Sequence, residues 1–421
     1  MLSLALTLAA VACPGTHNLL KSLATSRAST PDTAGRVGQR ERRGGWLAAL
    51  LPFAFRLARR APLSKTRRAA ILAQLFELHN IYDERGEWRI FVDGIAAGHL
   101  THDPLRSRDA KKRLFKSAIK LIEFEPHAYC NRQCPFCPNA VLDRMDDKPT
   151  MNFETYRSAI SELAEIDYSG VVRFARYCEP LACRTIGEYV ATARRALPHA
   201  EIDIVSNGDY LNRALLATLA DAGLTTLRIS IYPKAYVWNH DQAAEQLRKV
   251  AANAGLEARL EHRDDCRMRW SLAHPTIKIV AQATDFATVG YDRGQSMAAL
   301  VDKAYQRTSP CPFVFQNLTV DFDGAVMPCC NLRGDDPAQR KYMVGQLGSS
   351  TSIFDVYSSE ALTAWRRSMV EVSAKAAPCS TCKHRVLHSR LARTFLKTGI
   401  RRRLRQVGCD ADSLTAELRR L

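Results

Sequence analysis

The segment Cys130-Asn131-Arg132-Gln133-Cys134-Pro135-Phe136-Cys137 places three thiols close enough together to converge on one metal centre. Closed structural metal sites take four protein ligands, whereas a site with three keeps a coordination position for a reactant. An open position implies chemistry. The competing reading is a structural zinc site, in which His127 would supply the fourth ligand. A second group of thiols follows near the C-terminal end: Cys311, the adjacent pair Cys329-Cys330, and Cys379-Ser380-Thr381-Cys382. Four ligands there would close a site, and a four-cysteine zinc centre is its plainest alternative. Cys13, Cys178, Cys183, Cys266, Cys330 and Cys409 are left over, and burial as small apolar groups accounts for most of them.

Positioning such sites needs a scaffold, and from residue 118 onward short β-branched runs alternate with amphipathic stretches, the pattern of βα units. The strands expected are Ile119–Phe124, Val171–Phe174, Ile202–Val205, Leu227–Ile231, Leu256–Leu260 and Ile277–Ala281. Between them, Tyr156, Ile160 and Leu163, then Ile186, Tyr189 and Val190, then Leu215, Leu216 and Leu219 recur at helical spacing. Consecutive βα units make a parallel sheet with right-handed crossovers, and six can curl into an open barrel whose ligands gather at the carboxyl ends of the strands. The fold class expected is therefore α/β, a partial (β/α)6 TIM-like barrel with a small cysteine-rich α+β C-terminal domain. Leu318–Phe322, the turn Asp323-Gly324 and Ala325–Met327 read as a hairpin in that second domain. The division expected is a basic N-terminal flank over 1–115, the barrel over 116–300, the cysteine-rich domain over 301–390 and a basic tail over 391–421. In the flank, Trp88–Val92 reads as a strand with Asp93-Gly94 as its turn.

A chain of 421 residues with 46% apolar and 24% charged residues is ordinary globular material, which excludes wholesale disorder and a small disulfide scaffold. The net charge of +17 sits in the two ends, and residues 116–382 are close to neutral. A nucleic-acid footprint should cover the surface that reads it, so the working site does not look built for a polyanion. Arg401-Arg402-Arg403-Leu404-Arg405 could hold anionic lipid or RNA in a peripheral contact, although a solvated helical face explains it more simply. No run reaches the ~18 to 20 apolar residues of a membrane span. Leu2–Cys13 is a weak signal peptide at best, and Trp46–Phe55 is interrupted by Pro52. Thirteen clustered cysteines in a chain of this kind point to metal or catalysis before disulfides, and a cytoplasmic location is expected.

The CxxxCxxC spacing, the aromatic Phe136 before the last cysteine and the placement on a βα loop closely resemble the radical S-adenosylmethionine (SAM) superfamily, over roughly residues 116 to 282. The resemblance implies that Cys130, Cys134 and Cys137 each bind an iron of a [4Fe-4S] cluster, whose fourth iron takes SAM. Chelation of the sulfonium beside a low-potential donor would then direct cleavage to a 5'-deoxyadenosyl radical. Glu179, in Arg176-Tyr177-Cys178-Glu179-Pro180-Leu181, stands where relatives carry Gly-Gly-Glu-Pro and contact the SAM amino group. Tyr177 and Cys178 here replace both glycines. Cys178 is the exception among the leftover cysteines, because the resemblance places it in the cofactor loop, where a thiol could donate a hydrogen atom to a substrate radical. Ser206-Asn207-Gly208 is similar to the segment that meets the ribose and carboxylate, and the Ser230 hydroxyl is placed to reach the cofactor. The second cysteine group resembles the SPASM and twitch domains, with Gly324 to Cys329 matching their Gly-x4-Cys hairpin. That match favours Cys329, with Cys330 as the reserve, and gives Cys311, Cys329, Cys379 and Cys382 as ligands of one auxiliary [4Fe-4S] cluster.

The function expected is hydrogen-atom abstraction from a peptide or small-molecule biosynthetic intermediate, with the auxiliary cluster taking up the electron. Flavodoxin or ferredoxin is the reducing partner implied. Asp321, Tyr291 and Arg293 are candidates for a base or hydrogen donor. The alternative from another class is a non-catalytic zinc-binding protein whose basic ends bind RNA or a membrane surface.

Overall fold

The computed structural model describes residues 64–82, 87–145, 149–348, 350–387 and 389–406, with four isolated positions between 54 and 59. Leu2–Cys13, Cys409, Trp46–Phe55 apart from Ala54, and the tail beyond Gln406 lie outside the described residues. The described chain divides into two compact units, one spanning 97–386 and one joining the residues before 97 to those from 387.

The larger unit is built on one mixed sheet. Its strands are β1 (Leu121–Phe124), β2 (Val171–Phe174), β3 (Glu201–Ser206), β4 (Thr226–Ile231), β5 (Ala258–Arg263), β6 (Arg267–Leu272), β7 (Lys278–Thr284), β8 (Asn317–Val320), β9 (Ala325–Met327) and β10 (Gly345–Gln346). Their order is β10-β9-β8-β1-β2-β3-β4-β7-β6-β5. The run β8-β1-β2-β3-β4-β7 is parallel throughout, so six parallel strands form the partial barrel that the βα alternation calls for. Helices α1 (Arg108–Ala118), α2 (Phe153–Ala164), α3 (Ile186–Ala196), α4 (Arg213–Asp221) and α5 (His240–Ala254) accompany them. Their starts are set locally: Asn152 caps α2 by accepting from the amides of Glu154 and Thr155, and Asn239 caps α5 by accepting from Gln242. Gly255 ends α5 in the left-handed region at φ 67°, where a side chain would collide with Arg213.

The identity of the sixth parallel strand differs from expectation. Leu256–Leu260 does not enter the barrel; β5 starts two residues later, runs antiparallel to β6 and is exposed along its length. Its Arg259, Glu261, His262 and Arg263 could not be buried between layers. β6 was not anticipated, although its Met268, Trp270 and Leu272 alternate with arginines as a half-buried strand should. The place beside β1 is taken by β8, assigned from sequence to the small domain, and β9 and β10 extend the same sheet antiparallel from it. The core between sheet and helices includes Phe124, Tyr156, Phe174 and Tyr189, whose rings meet edge-on or tilted. Each such ring contributes about 1.5 to 3 kcal/mol on burial.

The smaller unit contains helices Lys65–Tyr82, Glu87–Ala96 and Arg390–Gln406, which pack on one another. Trp88–Val92 is helical, correcting the strand reading. Trp88, Phe91, Val92 and Ile95 are all buried, and that i, i+3, i+4, i+7 spacing is one face of a helix. Asp93 therefore lies inside the helix, paired with Arg89 one turn earlier. In the last helix Ala392, Leu396 and Ile400 are buried while Arg401, Arg402 and Arg405 are exposed.

Candidate functional site

The chain leaving β1 carries the three-cysteine motif, and short local bonds shape it. The Cys137 amide donates to the Cys134 carbonyl at 2.9 Å and the Cys130 amide to the Arg144 carbonyl at 3.1 Å. Arg144, itself buried, clamps this loop from below, with Nη1 on Glu125 at 2.5 Å and Nη2 on Asp335 at 2.8 Å. Asn139 donates to the Tyr177 carbonyl at 2.7 Å and accepts from Arg333, so the loops after β1, β2 and β9 are tied together. His127 does not join the thiols: it is buried, and its Nε2 bonds the Glu179 carbonyl at 2.8 Å. The zinc reading loses its fourth ligand.

Cys130, Cys134 and Cys137 line one cavity of about 320 Å³ at the carboxyl ends of β1 to β4. All five residues expected at the cofactor, Phe136, Glu179, Ser206, Asn207 and Ser230, line the same cavity. Glu179 is 1% exposed and accepts from Ser206 Oγ at 2.7 Å, the Asn207 amide at 2.7 Å and the Leu181 amide at 3.0 Å. Burial nonetheless pushes its carboxyl up to about 7, partly offset by those hydrogen bonds. Such a carboxylate gains by meeting a cation. Phe136 stacks on Phe286 with centroids 4.0 Å apart and lies 5.5 Å from the Tyr232 ring, which makes an aromatic wall. Phe286 falls just beyond β7 and no motif announced it.

The cavity's remaining surface is charged, and most of it was not read from sequence. Glu123 of β1 and Arg173 of β2 are register partners facing inward. Arg173 pairs with Asp203 at 2.6 Å and stands 4.0 Å from Glu123, whose carboxyl is pushed up to about 7 by burial and then by the nearby Cys330. Arg293 lines the cavity with Nη1 on Asn331 at 3.0 Å, while its buried Nε has no hydrogen-bond partner. The other two candidate bases lie elsewhere. Asp321 is consumed by an ion pair with Arg176 and by the Gly334 amide, and Tyr291 stacks on His384. Tyr177 lines the same cavity as Glu179. Its hydroxyl donates to the Cys330 carbonyl at 3.1 Å, and the guanidiniums of Arg176 and Arg333 lie 5.2 and 5.1 Å from its ring centroid. The Cys178 thiol donates to the Ala175 carbonyl at 3.2 Å, in its own loop.

The second thiol group assembles where β9 and the C-terminal loops meet. Cys329 interacts electrostatically with Cys311 and Cys382, and Cys379 with the same two. The Cys329 sulfur also accepts from the Asn331 amide at 3.4 Å. Cys330 lines the first cavity while its side chain stays hydrogen-bonded to that of Cys329, so it borders both the cavity and the second thiol group. Among the described residues no three side chains are already gathered at metal-binding geometry, so the fit to iron rests on donor chemistry. Burial raises Cys130 to about 12, Cys134 to about 11 and Cys382 to about 11, and raises Cys379 further. Such thiols bind a cation only by releasing those protons, and clustered cysteine sulfurs are the donors that iron-sulfur clusters take.

Residues 124–232 match the radical SAM superfamily and residues 311–383 match the SPASM iron-sulfur cluster-binding domain. The S-adenosyl-L-methionine-dependent 2-deoxy-scyllo-inosamine dehydrogenase of Niallia circulans is 33% identical over 106 residues. That alignment takes in 25% of this chain and 42% of the relative's length. Among solved structures, BtrN in complex with AdoMet and 2-DOIA is similar at 21% identity and a TM-score of 0.43, over 60% of this chain and 87% of that one. SuiB of Streptococcus suis bound to S-adenosylmethionine aligns at 12% identity and a TM-score of 0.35, over 70% of this chain and 83% of its own.

Proposed function

Because the chain is a radical SAM enzyme with a C-terminal SPASM domain, we propose that it abstracts a hydrogen atom from a small, polar, hydroxylated or aminated molecule and completes a two-electron oxidation. In this reading Cys130, Cys134 and Cys137 hold the SAM-binding [4Fe-4S] cluster, and Cys311, Cys329, Cys379 and Cys382 hold an auxiliary one. Bound there, cluster and SAM supply a 5'-deoxyadenosyl radical. The chain's own groups do the rest. Glu179 receives the SAM ammonium, Ser206 and Asn207 are within reach of its ribose and carboxylate, Ser230 offers a further hydroxyl, and Phe136 with Phe286 excludes water from one side.

The observation that carries this reading is that the three motif thiols and the buried, hydrogen-bonded Glu179 line a single cavity. A small substrate is favoured over a peptide by the enclosed charged surface of Glu123, Arg173 and Arg293, and by the relative that dehydrogenates an inosamine. The SPASM match over 311–383 supports keeping 116–300 as the core and 301–390 as the auxiliary-cluster region, although both share one sheet. No helix among the described residues is long and apolar enough to cross a membrane, and we place the reaction in the cytoplasm with flavodoxin or ferredoxin as electron donor. The non-catalytic zinc alternative does not survive the radical SAM match.

The test is anaerobic incubation with SAM and a strong reductant, read as 5'-deoxyadenosine. Wild type is expected to form it and Cys134→Ala to form none. Full-length protein with zinc at both thiol groups and no acid-labile sulfide would end this proposal.

A further inference from the structure

Arg307 is 1% exposed, yet among the described residues no carboxylate forms an ion pair with it. Its donors go to carbonyls instead: Nε to Ser309 at 3.0 Å, Nη2 to Pro310 at 2.7 Å, Nη1 to His384 at 2.6 Å and to Cys382 at 3.2 Å. Nη1 also points at the Cys382 sulfur, 3.6 Å away. Its main chain is held as firmly, the amide on Ser380 at 2.6 Å and the carbonyl accepting from Lys375 at 3.0 Å. Carbonyl dipoles satisfy hydrogen bonds but do not neutralise a full charge, and a buried cation without an anion is strongly disfavoured. Cys311, Cys382 and Cys379, three of the four thiols of the second group, act electrostatically on Arg307 and become its anions when they bind a metal as thiolates. A second buried cation is close by. Lys375, 5% exposed, donates to the carbonyls of Ser368 and Glu371 at 3.0 and 2.8 Å and also feels Cys311 and Cys379.

We propose that Arg307 is the fixed counter-ion of the auxiliary cluster and that its charge raises the cluster's reduction potential, making it an acceptor for the electron left on substrate. This rests on the reading that Cys311, Cys329, Cys379 and Cys382 ligate a [4Fe-4S] cluster. A cube ligated by four thiolates carries two negative charges oxidised and three reduced. A buried cation in contact with a ligand sulfur stabilises the more negative state by more. Guanidinium is suited to this because it never loses its proton. The electron balance is simple. After one hydrogen atom leaves for the deoxyadenosyl group, the substrate carbon gives one electron to the cluster and its hydroxyl or amine gives one proton to solvent, so substrate ends two electrons more oxidised. With a cluster held by Cys311, Cys329, Cys379 and Cys382, that electron would leave on the external one-electron carrier. Arg307 touches no reacting atom; it is a positioning residue that also clamps the segments bearing Cys311 and Cys382.

The experiment uses the full chain with Cys130, Cys134 and Cys137 changed to Ala, so that only the auxiliary cluster remains. Iron and sulfide content and an EPR-monitored redox titration are compared for Arg307, Arg307→Gln and Arg307→Lys. Arg307→Gln is expected to keep its iron and titrate at a clearly more negative potential, while Arg307→Lys stays near the parent. An unshifted Arg307→Gln with full iron content overturns the proposal. So does an Arg307→Lys that assembles its cluster and shifts as far as Arg307→Gln, because charge would then not be the cause. If Arg307→Gln fails to assemble, Lys375→Met, which leaves the clamp intact, must move the potential negative; no movement also overturns it. Absence of iron from the parent of this series would remove the cluster itself, a separate failure recognised before any potential is measured.

Discussion

Replacing Glu179 by Gln removes the charge at the cofactor end of the cavity with almost no change in shape. Oε1 accepts from Ser206 Oγ and the Leu181 amide, and Oε2 from the Asn207 amide. A glutamine can place its oxygen at only one of these positions. With the oxygen at Oε1, the new NH2 faces the Asn207 N–H and leaves a buried donor unpaired, at a cost of about 1 to 3 kcal/mol. The SAM ammonium loses a charge-assisted partner, worth about 1.5 to 3 kcal/mol. At about 1.4 kcal/mol per tenfold, the second effect alone weakens SAM about 10- to 100-fold. Equilibrium dialysis of SAM against anaerobically reconstituted protein reads this directly, with iron content checked in parallel. Deoxyadenosine formation at saturating SAM should fall much less than the affinity. An E179Q protein with full iron and SAM affinity within about twofold of wild type would show that Glu179 does not face the ammonium.

Arg144→Met strands Glu125 in the core and should destabilise the larger unit by about 3 to 5 kcal/mol, measured by chemical denaturation, with loss of iron from the first site. Asp93→Pro distinguishes a helix from a hairpin turn over Glu87–Ala96: within a helix it costs about 3 kcal/mol or more, whereas a turn tolerates it. Glu123 and Glu179 both have carboxyls raised by burial to about 7 from 4.5. A raised folded-state pKa contributes stability that is present at low pH and lost as pH rises, so metal-free protein should lose stability between about pH 4.5 and 7. Each group accounts for up to about 3 kcal/mol. Glu123→Gln with Glu179→Gln should flatten that part of the profile, and an unchanged slope in the double variant refutes the assignment.

The parts of the site that sequence revealed are those where chemistry forces a local pattern. Three cysteines on one loop must be adjacent to share a metal, so Cys130, Cys134 and Cys137 were visible without a fold. Glu179, Ser206, Asn207 and Ser230 were picked out by the family resemblance of their segments, and the parallel topology brings those strand ends together. Glu123 and Arg173 were hidden for the complementary reason. A charged residue inside a strand looks like a solvent-facing one until the sheet closes around it, and only the cross-strand register puts Glu123 against Arg173. β5 misled because βα alternation was extrapolated past α5, where the next apolar run is too polar to bury. Trp88–Val92 misled because Trp88, Ile90, Phe91 and Val92 satisfy β-propensity, while the helical period shows only when Ile95 is counted.

Tyr177 lines the cavity and is anchored at several points. Its amide donates to Glu125, its hydroxyl to the Cys330 carbonyl, and its ring lies against the guanidiniums of Arg176 and Arg333. Those arginines are in turn bound by Asp321 and Asp335, on the strand β8 edge and the loop after β9. The same Asp335 takes Arg144 from the first cysteine loop. A continuous chain of ion pairs, buried except at Asp335, and one aromatic ring thus joins the loop of Cys130 to the hairpin of Cys329. Ionic contacts of this kind are directional and lose several kcal/mol when mispaired, so they fix the separation of the two thiol groups more tightly than apolar packing could. The tyrosine is therefore a strut between the two centres, and the glycine it replaces could not have served as one.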